Sequence, residues 1–270
     1  MLCWINGEPA DQIAVTDRGL AYGDGLFETI KVLDAKPQRL ERHLQRLRQG
    51  CERLYLPVDM AQLRAELLAF ACAMQQGVMK LMLTRGSGSR GYGMPVPTFS
   101  RRILQSAALP NYPTANREQG IELFACQTRL SCQPRLAGLK HLNRLEQVLA
   151  RNEWSDPRYS EGLMQDMQGH VVEGVFSNLF FARDNTLYTP LLDECGVAGV
   201  MRAEILSHAQ SLSIDLVQGH FTEAQLLEAD EVFFCNSLYG IWPVRALGAK
   251  QWSVGPMTRR LQALISTPLD

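Results

Sequence analysis

The feature that most constrains the fold is a series of short apolar runs in the second half of the chain. From residue 161 onward these runs cover Gly162–Asp166, His170–Glu173, Phe176–Ala182 and Thr186–Thr189. The breaks between them contain Gly169, Gly174 and the pair Asp184 and Asn185. Short apolar runs bounded by Gly, Asn and Asp are typical of strands joined by tight turns. The sequence therefore predicts a meander of strands in this part of the chain.

The first 110 residues are predicted to combine short strands with two helices. One apolar stripe after Pro37 has helical spacing, with intervals of four, three, four and three residues, and consists of Leu40, Leu44, Leu47, Cys51 and Leu54. A second helix is predicted over residues 60–76, because Gly77 is a typical helix-ending residue. Residues 111–119 are polar, contain Pro113 and precede Gly120, so they are predicted to form a linker. The expected organisation is a small α/β domain at 1–110, a linker at 111–119 and a larger domain at 120–270.

Composition excludes several classes of protein. The net charge of −1 does not favour a nucleic-acid or an anionic-membrane partner, and no apolar run approaches the length of a membrane span. The N-terminus lacks the pattern of a signal peptide. The seven cysteines are scattered and form no CxxC pair, which argues against a zinc site and favours reduced thiols in the cytoplasm.

Lysine is rare in this chain, and one lysine occupies a position that suits a functional residue. Only five of the 27 basic residues are lysines, and Lys140 follows Gly138 at a turn that precedes an amphipathic helix. A buried lysine can lose its proton and act as a nucleophile, whereas arginine stays charged. The start of this helix contains Asn143 and Glu146, which together resemble a capping box. The local pattern equally fits a surface lysine beside a helix start.

Three glycine-containing stretches are candidate sites. Residues 17–30 contain three glycines, which suits either close approach of the backbone or an ordinary surface loop. Residues 85–93 formally match GxGxxG, but residues 94–97 include two prolines instead of a helix, which excludes dinucleotide binding. Arg85, Arg90 and Tyr92 of this loop could instead receive a carboxylated substrate. Residues 193–202 form a turn that feeds a helix, and they suit either an anion site or simple capping glycines.

Separated segments of the chain together resemble one enzyme class. The matching segments occur in the same order as in that class and are Tyr22–Thr29, His43–Leu47, Thr84–Tyr92, Gly138–Val148, Glu173 with Ser177–Phe180, Gly196–Arg202 and Ala229–Asn236. With them the chain resembles the fold-type IV pyridoxal-phosphate enzymes, the class of the branched-chain and D-amino-acid transaminases. This resemblance implies an α+β fold, with a small two-layer N-terminal domain followed by a larger, barrel-like, cofactor-binding C-terminal domain.

The resemblance also implies a cofactor and its ligands. Lys140 corresponds to the lysine that binds pyridoxal 5′-phosphate covalently and moves protons during the reaction. The other cofactor-binding positions that it implies are Arg46, Glu173, Val200, Met201 and Asn236. Arg46, the backbone amides of Val200 and Met201, and Asn236 correspond to phosphate contacts, and Glu173 corresponds to the partner of the pyridine nitrogen. Thr29 is expected to line the substrate side as a further catalytic residue.

The segment around Lys140 is more similar to the lyases of the class than to its transaminases. It resembles the 4-amino-4-deoxychorismate lyases, which implies conversion of that small molecule to 4-aminobenzoate and pyruvate in folate biosynthesis. The alternative within the class is a D-amino-acid or branched-chain aminotransferase, which shares Lys140, Arg46 and Glu173. A non-enzymatic cofactor-storage module is disfavoured, because storage needs no carboxylate beside the ring nitrogen. The resemblance further implies a cytoplasmic homodimer without a metal ion.

Overall fold

The computed structural model describes residues 1–265, and these residues form two compact units. The first unit contains Met1–Pro110 together with the separate segment Leu139–Asn143. The second unit contains Asn111–Gly138 and continues from Arg144. The segment that carries Lys140 therefore belongs to the N-terminal unit, although the chain on either side of it belongs to the second unit.

The first unit consists of one antiparallel sheet with helices against it. Its helices are α1 (Arg18–Tyr22), α2 (Leu40–Arg53) and α3 (Met60–Met74), and its strands are β1 (Cys3–Ile5), β2 (Glu8–Pro9), β3 (Gly25–Leu33), β4 (Lys36–Pro37), β5 (Gly77–Thr84) and β6 (Arg101–Ala107). The strand order is β2-β1-β6-β5-β3-β4. Asn6 and Gly7 form the turn between β1 and β2, because Ile5 pairs with Glu8. This arrangement is the expected two-layer α/β unit.

Alternation along β3 determines which side chains of the first unit are buried. Leu26, Ile30 and Val32 are buried on one face of the strand. Leu44 and Leu47 belong to the buried stripe of α2, as the spacing of the leucines predicts. Because side chains alternate between the two faces of a strand, the partly exposed Phe27 and Thr29 lie on the other face of β3.

The second unit is built on a larger, mixed sheet. Its helices are α4 (Thr114–Glu118), α5 (Leu145–Arg151), α6 (Val200–Ser211), α7 (Glu223–Leu227) and α8 (Pro256–Leu264). Its strands are β7 (Ile121–Leu130), β8 (Tyr159–Asp166), β9 (His170–Gly174), β10 (Asn178–Arg183), β11 (Thr186–Pro190), β12 (Leu216–Gly219), β13 (Phe221–Thr222), β14 (Glu231–Asn236), β15 (Gly240–Leu247) and β16 (Lys250–Gln251). The predicted meander corresponds to β8 through β11.

Six of these strands close into a barrel. Their order is β10-β14-β15-β7-β8-β9, and β9 pairs back to β10 through Glu173 and Asn178. Alternate residues of the barrel strands enter different clusters of the core. Phe180 and Phe233 pack with residues of α6 and α8, whereas Phe181 and Phe234 belong to a second cluster. The expected barrel-like C-terminal domain is therefore confirmed.

The predicted linker differs from the structure. Asn111 already belongs to the second unit, and Thr114–Glu118 is helical. The backbone oxygen of Arg117 accepts a hydrogen bond from Gln262 Nε2 at 3.0 Å. The ring of Tyr112 packs edge-on against Trp242, with centroids 4.9 Å apart. Residues 111–119 are therefore a packed part of the second unit.

The predicted capping box before α5 is wrong. Asn143 Nδ2 donates to the oxygen of Gly23, and Glu146 Oε1 accepts from the nitrogen of Ser131. Helix α5 begins after Arg144, and no side chain caps its N-terminus. Both candidate capping side chains bind distant backbone groups, which the local spacing could not reveal.

None of the helices within residues 1–265 is both long enough and apolar enough to cross a membrane.

Candidate active site

Lys140 lies on a segment that pairs with the start of β3. Its backbone oxygen accepts from the nitrogen of Phe27 at 2.9 Å. Leu26 and His141 form an antiparallel bridge, and the nitrogen of Leu142 donates to the oxygen of Gly25 at 3.0 Å. Two backbone hydrogen bonds therefore attach this segment to β3, one at Lys140 itself and one at Leu142. This attachment suits a residue whose amine must be held in place.

The side chain of Lys140 lies over an aromatic ring. Its Nζ is 4.3 Å from the centroid of Phe27. Thr29 is two residues further along β3 and shares the face that carries Phe27. A second amine, Nζ of the exposed Lys80, is 5.8 Å from the same ring. The predicted catalytic residues Lys140 and Thr29 therefore belong to one neighbourhood of the first unit.

Arg46 belongs to a buried ionic cluster between α2 and β3. Its Nε donates to Glu28 Oε1 at 2.7 Å, and its Nη2 donates to Glu28 Oε2. His43 Nδ1 lies 2.6 Å from the same Oε2. Glu28 and His43 are each 1% exposed. The orientation of the Arg46 guanidinium is therefore fixed by a carboxylate that water does not reach.

The electrostatics of this cluster define its charge state. Burial raises the pKa of Glu28, but Arg46 and His43 outweigh that effect and lower it to about 2. Burial lowers the pKa of His43 and Glu28 raises it, but with the charges of Arg46 and Lys140 added to burial the net pKa lies below its usual value. At neutral pH we therefore expect an ionised Glu28, a charged Arg46 and a neutral His43 that donates its Nδ1 hydrogen to the carboxylate.

The structure does not support Arg85 as a substrate ligand. Arg85 is 2% exposed, and its Nε donates to Asp24 Oδ2 at 2.8 Å. Its two terminal nitrogens donate to the backbone oxygens of Tyr55 and Leu54. Burial raises the pKa of Asp24, but hydrogen bonds from Arg85 and Arg18 outweigh it, so the net pKa lies below its usual value. Arg85 is therefore a buried structural cation.

Arg90 and Tyr92 remain exposed on the loop after β5. Arg18 holds this loop, because its Nη1 donates to the oxygen of Gly91 at 3.0 Å and its Nη2 to the oxygen of Tyr92 at 3.3 Å. The rings of Tyr22 and Tyr92 are also in contact, with centroids 5.3 Å apart. The loop backbone is therefore anchored, while both predicted substrate ligands keep exposed side chains.

Glu173 is the central carboxylate of the second unit. It is 4% exposed, at the end of β9, and its Oε2 accepts from the nitrogen of Val197 at 2.8 Å. Asn178, its cross-strand partner, donates from Nδ2 to the oxygen of Val197 at 2.8 Å. The charge of Glu173 also acts on Arg144, whose pKa burial lowers and Glu173 raises. Glu173 and Asn178, the pair through which β9 and β10 close the barrel, thus bind the backbone N–H and C=O groups of Val197.

Val200 and Met201 begin helix α6 directly after this contact. The N-cap residue is Gly199, which has no side chain with which to cap the helix. The first N–H groups of a helix have no partner within the helix and carry a partial positive charge. A Cβ added to Gly199 would overlap Oδ1 of Asn178. This helix start therefore has the form of an anion site with a close-packed glycine before it.

Asn236 is located at the end of β14 and forms its own turn. Its Oδ1 accepts from the nitrogens of Leu238 and Tyr239 at 2.9 and 3.0 Å. Its Nδ2 lies 3.4 Å from the oxygen of Phe176, in the turn between Glu173 and Asn178. Glu173, Asn236 and the start of α6 are therefore parts of one hydrogen-bonded neighbourhood in the second unit.

Each unit, taken by itself, carries groups that suit a part of pyridoxal phosphate chemically. The first unit supplies an amine for the aldehyde, Lys140, and a preoriented guanidinium, Arg46. The second unit supplies a buried carboxylate for the ring nitrogen, Glu173, and a helix start without a side-chain cap for the phosphate. No metal ion is needed for any of these interactions.

Glu28 and Asn178 also hold groups of the site, although neither is among the site residues predicted from the sequence. Glu28 could have been found from its strand, because it lies between Leu26 and Ile30 at a spacing of two and so on their buried face. A buried charge at such a position requires a partner. For Asn178 no local signal exists, since its partner Val197 is distant in the sequence.

Comparison with known proteins places these observations in a family. Residues 25–247 match the model of the amino-transferase class IV family. The chain is 36% identical over 272 residues to an aminodeoxychorismate lyase of Vibrio harveyi, covering 98% of this chain and 99% of that protein. It is 28% identical to a putative branched-chain-amino-acid aminotransferase of Methanocaldococcus jannaschii, covering 97% of this chain and 94% of that protein.

A solved structure is similar over almost the whole chain. The crystal structure of 4-amino-4-deoxychorismate lyase from Pseudomonas aeruginosa matches with a TM-score of 0.97 and 57% sequence identity, covering 98% of each chain. The family match extends from the start of β3 to the end of β15 and so includes all the cofactor-binding positions considered above. The chain therefore belongs to the amino-transferase class IV family.

Proposed function

We propose that this chain is a pyridoxal-phosphate-dependent lyase that converts 4-amino-4-deoxychorismate to 4-aminobenzoate and pyruvate, a step of folate biosynthesis. The observation that carries the proposal is the 57% identity, over 98% of both chains, to a structure of a lyase with that substrate in its name. The aminotransferase alternative is weaker, because the aminotransferase of Methanocaldococcus jannaschii is 28% identical.

The proposed roles follow from the chemistry of each side chain. When bound, pyridoxal phosphate withdraws electron density from the substrate carbon that loses a proton. Lys140 Nζ would hold the cofactor, take that proton and return it to the departing three-carbon group. The Phe27 ring limits the positions that this amine can reach, since Nζ lies 4.3 Å from its centroid. Thr29, on the same face of β3, would line the substrate side.

The remaining residues would bind and orient. Glu173 would keep the ring nitrogen protonated, and its hydrogen bond from the Val197 nitrogen fixes its direction. Arg46 would neutralise the phosphate, held at the required angle by Glu28. The backbone amides of Val200 and Met201 would add hydrogen bonds from the helix start, with Asn236 close to the same turn. Arg90 and Tyr92 would receive the substrate carboxylates, and Arg85 is not included because it is buried.

One experiment separates the two activities. Purified protein is incubated with 4-amino-4-deoxychorismate, and 4-aminobenzoate and pyruvate are measured. A parallel incubation with D-alanine or branched-chain amino acids measures 2-oxo acids. We expect products in the first incubation, whereas products only in the second would make the chain an aminotransferase.

A matched pair of lysine variants tests the site. Lys140→Ala should abolish activity and the visible absorbance of the lysine-bound cofactor. Lys80→Ala removes the other amine that faces Phe27, at 5.8 Å, and should retain both. A Lys140→Ala protein that keeps the absorbance would contradict the assignment of this lysine.

We also propose that the enzyme is a homodimer in the cytoplasm. Three apolar side chains of α5, Leu145, Val148 and Leu149, are between 61% and 75% exposed. An exposed apolar patch of this kind favours a subunit interface. The seven cysteines are free thiols, as expected in a reducing compartment. Sedimentation of the wild type and of Val148→Glu tests the dimer, which the added charge should dissociate.

A further inference from the structure

Glu161 is a buried carboxyl group to which the proposed chemistry assigns no role. It lies on β8 and is 0% exposed. Its Oε1 accepts from the nitrogens of Gly162 and Val175 at 2.8 and 2.9 Å, and its Oε2 accepts from the hydroxyl of Ser177. A buried polar group is costly unless its hydrogen bonds are satisfied, and a carboxyl group is among the most costly. Its partners therefore indicate what it stabilises.

Two of these partners belong to the turn between β9 and β10. That turn covers residues 174–177, and it is closed by a hydrogen bond of 2.7 Å from the nitrogen of Gly174 to the oxygen of Ser177. A Cβ added to Gly174 would meet the Ser177 hydroxyl at 2.5 Å and the Glu161 carboxyl carbon at 2.7 Å. The carboxyl group of Glu161 therefore packs directly against the turn and forms hydrogen bonds with Val175 near its start and with Ser177 at its end.

The same turn joins the two side chains that hold Val197. Glu173 precedes the turn and Asn178 follows it, and the two residues are cross-strand partners. Glu173 Oε2 accepts from the Val197 nitrogen, and Asn178 Nδ2 donates to the Val197 oxygen, both at 2.8 Å. A change in the conformation of the turn would alter the separation and direction of these two side chains.

We propose that Glu161 is a positioning residue that fixes the 174–177 turn and thereby sets the direction in which Glu173 meets the cofactor ring. This inference rests on the proposed function only in that it takes Glu173 as the partner of the ring nitrogen. Burial raises the pKa of Glu161 to about 8, against the hydrogen bonds from Ser177, Gly162 and Val175 that lower it.

The test compares Glu161→Gln with a matched control. Glu153 belongs to the same unit and also accepts two backbone hydrogen bonds, from the nitrogens of Gln127 and Thr128 at 2.6 and 2.8 Å, so Glu153→Gln is the control. Amide hydrogen exchange is measured on cofactor-free protein, and release of pyridoxal phosphate and steady-state kinetics are measured on the holoenzyme. In Glu161→Gln we expect amide hydrogen exchange to be about tenfold faster at residues 173–178 and 197. Release of pyridoxal phosphate should also be about tenfold faster. A factor of about ten is the effect of losing about one buried hydrogen bond.

Kinetics distinguish positioning from substrate binding. Glu161→Gln should lower kcat about tenfold and change KM less than about threefold, because the substrate contacts are elsewhere. Glu153→Gln should stay within about twofold of the wild type in every measurement. Wild-type exchange and release in Glu161→Gln would overturn the proposal. So would a uniform increase of exchange across the second unit, since that reports only a loss of stability.

A second variant covers the case in which Glu161→Gln does not fold. Ser177→Ala removes one hydrogen bond and keeps the carboxyl group with its backbone partners, which include Gly162 and Val175. It should accelerate exchange in the turn and cofactor release in the same direction, and wild-type values would overturn the proposal. Failure of the lyase assay in the wild type would refute the proposed function alone, because exchange in cofactor-free protein does not depend on any reaction.

Discussion

Substitution of Glu28 by glutamine tests how the first unit holds Arg46. Glu28 accepts two hydrogen bonds from Arg46 and one contact from His43, in a position that is 1% exposed. Glutamine keeps the shape of the side chain but removes its charge and replaces one oxygen by an N–H donor. That donor would face the donors of Arg46, and the guanidinium would keep a positive charge without its buried counterion.

The size of the effect follows from the pKa of Glu28. A fall from the ordinary value of 4.5 to about 2 corresponds, at about 1.4 kcal/mol per pH unit, to about 3 kcal/mol of folding free energy. Because the folded-state pKa is the lower one, this stabilisation is complete above pH 4.5 and is lost as the pH falls toward 2. Glu28→Gln should therefore be less stable than the wild type by about 3 kcal/mol at pH 7, and the difference should shrink in acid.

The assay is urea unfolding at several pH values between 7 and 3, followed by circular dichroism, with hydrogen exchange in α2 as a probe of the first unit. Glu41→Gln is the matched control, because Glu41 also lies on α2 but forms an exposed ion pair, with Arg64 of α3. An exposed pair of this kind contributes less than about 1 kcal/mol. If Glu28→Gln and Glu41→Gln lost the same free energy at pH 7, or if their pH dependences were parallel, the argument for a buried ionised Glu28 would fail.

Three further predictions concern other parts of the molecule. Arg90→Gln should raise KM for the substrate about tenfold with little change in kcat, whereas Arg48→Gln, at another exposed arginine, should change neither; equal KM values would exclude Arg90 as a carboxylate ligand. Gly199→Ala should displace Asn178 and accelerate cofactor release, while Gly93→Ala, where a Cβ meets nothing within 4 Å, should not; equal release rates would refute the close packing. Thr222→Ala removes the capping box of α7 and should lower stability by about 1 kcal/mol in thermal unfolding; an unchanged Tm would contradict the cap.

Elements with a strong local pattern could be predicted from the sequence. The stripe from Leu40 to Cys51 forms the buried face of α2, and the runs from 162 to 189 form the successive strands β8 to β11 of the larger sheet. Both patterns arise because regular elements bury apolar residues, and each can be recognised from residues that are close together in the sequence. The Gly199 turn was also recognisable, because a helix start after glycine has a local signature.

Features that depend on distant partners could not be predicted in this way. The sequence predicts Arg85 as a substrate ligand together with Arg90, yet Arg85 is buried against Asp24 and Leu54, directly after α2. Its sequence neighbourhood is a glycine-rich loop that gives no sign of this burial. Glu161 likewise follows a short polar stretch, and its role becomes visible only when the 174–177 turn is adjacent. In each case the deciding contact joins residues at least 14 positions apart.

The assignment of Leu139–Asn143 to the first unit has a consequence for biosynthesis. Residues 1–110 contain all the strands of the first sheet, so this sheet can form early in translation. The segment that pairs with Gly25 and Leu26 is synthesised only about 30 residues later. The barrel closes later still, because β7 pairs in parallel with β15 and Ile121 can pair only after Val244 has been synthesised. Neither unit can be completed by its own contiguous stretch of nascent chain. The lysine amine can therefore take up its position only when translation is well past the N-terminal unit, which delays the appearance of a reactive site until most of the protein exists.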